Sequence, residues 1–204
     1  MIVIKLGGSL SQSDTLIRCL YSIEQNYLDR AVVIVPGGGA FADQVRSAQQ
    51  RWQFDDQTAH RMAILAMQQM ALLINGLKSD FYIARSVTGI REQLYNQKIV
   101  IWSPDIVELD NASIQASWDI TSDSLAAWLA KALSARELIL VKSAMIDPSL
   151  SLQQLAKQGI IDKGFCEFVK QATFKIQVIN QQNFYYRISK DVNTSSDSNS
   201  IISA

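Results

Sequence analysis

The chain has 204 residues, 48% of them hydrophobic, which is enough for one sizeable core and, by length, one domain. Its 19 Lys and Arg balance 19 Asp and Glu, and no basic stripe stands out, so no nucleic-acid surface is expected. Two cysteines and one histidine exclude a structural zinc site and fit a reduced, cytoplasmic compartment; no apolar run has the length of a membrane span and no basic n-region opens the chain, so neither a membrane partner nor a signal peptide is expected.

In chain order, residues 2–6 and 31–35 read as short buried strands rich in Val and Ile. Glycines follow each: Gly7-Gly8-Ser9 after the first and Pro36-Gly37-Gly38-Gly39 after the second. Helices are predicted over 13–27, with Asp14 as a cap, and over 40–52. Residues 57–76 carry Ala59, Met62, Ala63, Ala66, Met67, Met70 and Leu73 at steps of three and four, the pattern of a long helix. That stripe packs either in the core or across a homodimer interface. A third strand runs from Lys98 to Trp102 and stops at Ser103-Pro104. Thr121-Ser122-Asp123 opens a helix over 122–133, and Glu137 to Val141 is a fourth strand. Helices over 151–158 and 164–173 precede a fifth strand, Lys175 to Ile179. Strands alternating with helices predict an α/β fold, a three-layer αβα sandwich around a mainly parallel sheet. It occupies a single domain, 1–190; residues 191–204, rich in Ser, Asn and Asp, predict a disordered tail.

A strand that ends in glycines lets backbone N–H groups approach an anion, and a helix starting just beyond adds its dipole. Lys5, two residues before Gly7, stands where its ammonium would neutralise charge on such an anion, unless it faces solvent from an edge strand. Three glycines at 37–39 exceed what a strand-to-helix turn needs, and close approach of a ligand would offset their entropic cost. Arg46, on the next helix, is either an anion clamp or a solvated residue. Thr121, Ser122, Asp123 and Ser124 are good helix caps, yet Asp123 could pair with a lysine while Thr121 and Ser124 contact phosphate. Lys163 begins a helix, where the dipole disfavours a cation; a bound phosphate would remove the conflict, and otherwise Asp162 caps that helix. His60, on a Met- and Ala-rich helix, reads as a packing residue. No catalytic Ser-His-Asp set or metal-ligand spacing is evident, so no protein metal site is expected.

Four segments together, Lys5-Leu6-Gly7-Gly8-Ser9, Pro36-Gly37-Gly38-Gly39, Thr121-Ser122-Asp123-Ser124-Leu125-Ala126 and Gly159-x-x-x-Lys163, resemble the amino acid kinase family in order and spacing. The resemblance implies an ATP-dependent small-molecule kinase assisted by Mg²⁺; a homo-oligomer, dimer or higher, is expected. By position, it places Lys5 and Lys163 on either side of the transferring phosphoryl group with Asp123 holding both. Gly7, Gly8, Ser9, Thr121 and Ser124 would meet the ATP phosphates, and Gly37, Gly38, Gly39 and Arg46 the acceptor. Within the family, Ala40-Phe41-Ala42-Asp43, Ala59-His60-Arg61-Met62 and Ser117-Trp118-Asp119-Ile120 are similar to a branch that phosphorylates a phosphorylated furan in methanofuran-type one-carbon cofactor synthesis. One stretch departs from the family: Lys142-Ser143-Ala144-Met145-Ile146-Asp147-Pro148 lacks the acidic residue and glycine usual beside the nucleotide. Asn180 is likewise followed by Gln181-Gln182 rather than glycine. These departures leave open a non-catalytic, ligand-binding or regulatory relative, or a kinase for an amino acid or carbamate.

Overall fold

The computed structural model describes residues 1–27, 30–96 and 99–185. The tail expected at 191–204, and Lys98 at the start of the third predicted strand, lie outside them. Six strands form one sheet: β1 (Ile2–Leu6), β2 (Val32–Pro36), β3 (Tyr82–Ala84), β4 (Ile99–Trp102), β5 (Glu137–Lys142) and β6 (Lys175–Asn180). Their order is β3-β4-β2-β1-β5-β6, and every pairing is parallel. A parallel sheet must be covered on both faces, which explains why β1, β2 and β4 are buried along their whole length.

Alternation along the strands divides the core in two. Val3, Val33, Val35, Val100, Trp102, Leu138 and Leu140 face one side, where they meet Leu125, Ala126 and Leu129 of α6 (Ser122–Ala132). Ile2, Ile4, Leu6, Val32, Ile34, Ile139 and Val141 face the other, against Leu16, Cys19, Leu20 and Ile23 of α1 (Thr15–Asn26). The long helix α3 (Asp56–Leu77) gives Ile64 and Met67 to the first cluster and Met70, Ala71 and Ile74 to the second. The three-layer sandwich expected from the sequence is thus present. Both cysteines are free thiols, and burial pushes the Cys19 thiol up to about 12.

Helix boundaries at α2 (Gly39–Trp52) and α3 match the expected spans within a residue. Asp55 caps α3, its carboxylate accepting from Thr58 N–H at 2.7 Å. Asp14 makes no such cap on α1; the Ser13 hydroxyl accepts from Thr15 N–H instead. The expected helix over 164–173 is only the turn α8 (Phe165–Phe168), after α7 (Leu152–Lys157). Three further elements have weak sequence signals: β3, a three-residue edge strand, α4 (Val87–Asn96), which contains Gly89 and buries only Ile90, and α5 (Ile106–Asn111).

Candidate active site

Lys5 and Lys142 reach the same point because of strand parity. Side chains alternate along a strand, so Lys5 faces the side Val3 faces, and Lys142 the side of Leu138 and Leu140. β1 and β5 are neighbours, with Lys5 level with Leu140. Asp123, in the first turn of α6 above that face, receives both. The Lys5 Nζ lies 2.9 Å from its Oδ1 and the Lys142 Nζ donates to its Oδ2 at 2.5 Å. The Asp123 and Lys5 side chains are 2% and 5% exposed, so an edge-strand lysine facing solvent is ruled out. Two ammoniums thus share one carboxylate, with that of Asp162 close enough to act on Lys142. Burial by itself would raise the Asp123 carboxyl, but Lys5 and Lys142 hold it below the ordinary carboxylate range. Burial, and then the charge of Lys5, bring the Lys142 ammonium down to about 8, against the opposing pull of Asp123 and Asp162.

The resemblance placed Lys163 on Asp123; the structure places Lys142 there. Lys163 is 76% exposed and lies 3.4 Å from Asp119. Asp162, one residue earlier, is drawn inward instead. The Asp162 carboxylate accepts from Thr121 N–H (2.8 Å), Thr121 Oγ1 (2.5 Å), Ser124 N–H (2.9 Å) and Ser124 Oγ (2.9 Å). The hydroxyls expected to meet ATP phosphates are therefore occupied by a carboxylate of the same chain. Asp162 caps α6 rather than the helix that follows it.

The two glycine turns lie against each other. A Cβ on Gly8 would stand 2.2 Å from the Gly39 nitrogen, and one on Gly37 would stand 2.5 Å from the Gly8 nitrogen. Gly39 also has φ +55. Part of the glycine requirement is thus backbone against backbone, not backbone against ligand as the sequence reading has it. The Gly7 and Gly37 N–H groups are spent on the Val141 and Leu6 carbonyls, each at 2.9 Å. Gly8, Ser9, Gly38 and Gly39 instead border a cavity of about 260 Å³. Arg46 lines it as well, 3.2 Å from Asp43 and with its guanidinium 4.4 Å from the centre of the Trp118 ring. Trp118 in turn donates from Nε1 to Gln49 Oε1 at 2.6 Å, which ties the segment before α6 to α2. His60 also faces the cavity rather than serving only as packing. Burial lowers its pKa, against Asp110, so it is mainly neutral at neutral pH. Beyond β5, the Ser9 and Ser143 hydroxyls share a hydrogen bond of 2.9 Å. Asn180 Nδ2 donates to the Ser143 and Ala144 carbonyls at 3.1 and 2.8 Å, so the loop that departs from the family is pinned by the residue ending β6.

Three residues escape sequence reasoning. Lys142 carried a signal, its parity with Leu138 and Leu140, but its meaning depends on which strand lies beside β5. Asp162 reads locally as a cap of the helix after it and His60 as packing, because the Asp162 partners lie 38 to 41 residues away and the cavity that His60 lines exists only in the folded chain.

The profile of the amino acid kinase family matches residues 1–144. The chain is 33% identical over 146 residues to a (5-(aminomethyl)furan-3-yl)methyl phosphate kinase of Methanocaldococcus jannaschii, a match covering 69% of this chain and 64% of that protein. The match thus spans less than two thirds of the relative's length. Among solved structures, uridylate kinase of Archaeoglobus fulgidus superposes with TM-score 0.67 at 20% identity, over 92% of this chain and 95% of that one. UMP kinase of Bacillus anthracis gives 0.67 at 18% identity, over 94% and 91%. Aspartate kinase of Synechocystis gives 0.68 at 16% identity, over 89% and 38%. At these identities the structural likenesses speak for the fold.

Proposed function

The chain belongs to the amino acid kinase family, and on that premise we propose that it transfers the γ-phosphoryl group of ATP to a small acceptor that is itself a phosphate or carboxylate. The observation that carries this reading is the buried Lys5–Asp123–Lys142 cluster at the carboxyl ends of β1 and β5, beside a glycine-bordered cavity. Phosphoryl transfer depends on positioning and on neutralising charge over the transferred oxygens, and two ammoniums held by one carboxylate supply that charge in fixed places. An acceptor oxygen attacks the γ-phosphorus while the bond to the β–γ bridging oxygen breaks and ADP departs. A phosphate or carboxylate acceptor is already ionised, so no side chain need remove a proton.

In this reading Lys5 and Lys142 face the transferring group and Asp123 holds both. Gly7, Gly8 and Ser9 form the turn facing the ATP phosphates. Gly38, Gly39 and Arg46 serve the acceptor, Gly37 packs that turn against Gly8, and Trp118 and His60 offer the acceptor a ring face and a neutral imidazole. Lys163, exposed on the loop beside Asp119, adds a secondary charge for the incoming nucleotide. Among the described residues no group of three or more His, Cys, Asp or Glu converges, so Mg²⁺ enters with the nucleotide, held mainly by its phosphates and water. The acceptor we favour is a phosphorylated furan, on the likeness to the Methanocaldococcus kinase. Free thiols support a cytoplasmic setting, and the exposed Leu65 and Leu72 on α3 support a homodimer.

ADP release with Mg–ATP is to be measured over a panel of acceptors, the phosphorylated furan first, then UMP, aspartate and carbamate. Turnover with the furan and its loss in Lys5→Ala and Lys142→Ala are expected, with a smaller effect for Lys163→Ala. Nucleotide binding by calorimetry without turnover on any acceptor would replace the kinase with a ligand-binding relative.

A further inference from the structure

Asp162 has a place that the transfer chemistry does not use. Thr121, the residue before α6, makes no side-chain cap to its own helix. Its hydroxyl and N–H, and those of Ser124, all turn to the Asp162 carboxylate. Four donors from a helix N-terminus around two oxygens is the arrangement that otherwise binds a phosphate; here the chain supplies the anion itself. The same residue's N–H donates to Asp123 Oδ2 at 3.2 Å, the oxygen that also takes Lys142. The carboxylate thus clamps the first turn of α6, and the adjoining amide touches the group that turn carries.

We propose that Asp162 is a positioning residue for phosphoryl transfer: by closing the first turn of α6 it fixes Asp123, and through Asp123 the ammoniums of Lys5 and Lys142. This rests on the reading of that cluster as the transfer site. The charged groups facing this point are Asp123 from α6, Lys5 from β1 and Lys142 from β5, with the Asp119–Lys163 pair at the rim. The Asp162 charge also favours the protonated form of Lys142, so its loss has a signature that a purely structural cap would lack.

The test uses Asp162→Asn and Asp162→Ala in the full chain. Leaving the first-turn donors unmatched is expected to lower kcat by about ten- to a hundredfold, with KM for ATP changed little. Formate added to Asp162→Ala should restore part of the rate by refilling the four-donor site. In Asp162→Asn, the alkaline limb of the pH–rate profile and the NMR titration of the Lys142 side chain should both move to lower pH. Wild-type kcat in both variants, or a loss confined to folded yield with kcat per folded molecule unchanged, overturns the proposal. Should wild type transfer no phosphoryl group to any acceptor, the kinase reading fails. The NMR comparison then still decides on Asp162: an unmoved Lys142 titration refutes its control of the cluster.

Discussion

Asp123 is the residue on which the proposed chemistry converges, and its surroundings set the consequences of change. Asp123→Asn would leave two buried ammoniums facing each other without a carboxylate between them. Breaking a buried pair by removing one partner costs about 3–5 kcal/mol, so urea unfolding should show a loss of that order along with loss of turnover. Lys142 brings a pH dependence with a definite sign. Its pKa lies near 8 in the fold, against 10.5 ordinarily, so the ammonium is lost as pH rises through about 8 and kcat should fall there. Lys142→Arg keeps its charge to pH above about 12, so whatever rate it retains should lack that alkaline limb. Stability runs the other way. Between the two pKa values the unfolded chain holds the Lys142 proton and the folded chain does not, so this group's contribution to stability rises with pH in that window. Comparing unfolding of wild type and Lys142→Met on either side of pH 8 checks it, since only wild type should carry the slope.

At the scale of elements, the site is a meeting of three strand ends and one helix. β1 and β2 end in glycines whose backbones are in contact. Adding a methyl at Gly8 would drive it into the Gly39 backbone at 2.2 Å, which no rotamer change relieves. Gly8→Ala should therefore separate the two turns and lower stability by about 1–3 kcal/mol. Gly159→Ala meets open space but sits at φ +69, so its cost should be the smaller one of a left-handed backbone, about 1–2 kcal/mol. Thermal unfolding of the two variants, with Mg–ATP binding measured alongside, tests the distinction: Gly8→Ala should also lose nucleotide binding, Gly159→Ala should not. Sequence reasoning had the helix following β2 within a residue and the one following β1 within about two, though without its expected cap, because periodicity and turn glycines are local signals. It missed β3, α4 and α5, where short apolar runs find their partners only through the sheet edge. It also extended α8 too far, since the apolar residues after Phe168 pack as turns.

For the whole molecule, α3 bears on both readings of the Met and Ala stripe. The Met and Ala stripe turns largely inward, with Ala59, Ala66, Met67 and Met70 buried. Away from it, Leu65 and Leu72 are 47% and 63% exposed and, seven residues apart, lie on one line of the helix, while Leu73 of the stripe itself and Leu77 near the helix end are 40% and 45% exposed. Leu65 and Leu72 form an exposed apolar ridge on this line, and we propose it as a homodimer contact. Leu72→Glu should convert a dimer to a monomer by light scattering, with the fold retained by circular dichroism; a wild-type monomer at all concentrations rejects the assignment.

The sequence alone determined the class of fold, because Val- and Ile-rich runs alternating with helical periodicity have few ways to be buried. It also marked the glycine turns, Lys5 and Asp123, whose types and neighbours carry meaning locally. The tertiary structure alone decided which lysine joins them. That choice follows from β5 lying beside β1 in parallel register, which brings Lys142 to Asp123 and leaves Lys163 outside. The same holds for Asp162, whose role comes from a contact made across about forty residues. Charge pairing and capping are settled by distance in space, and that distance is fixed only once the strands have their order.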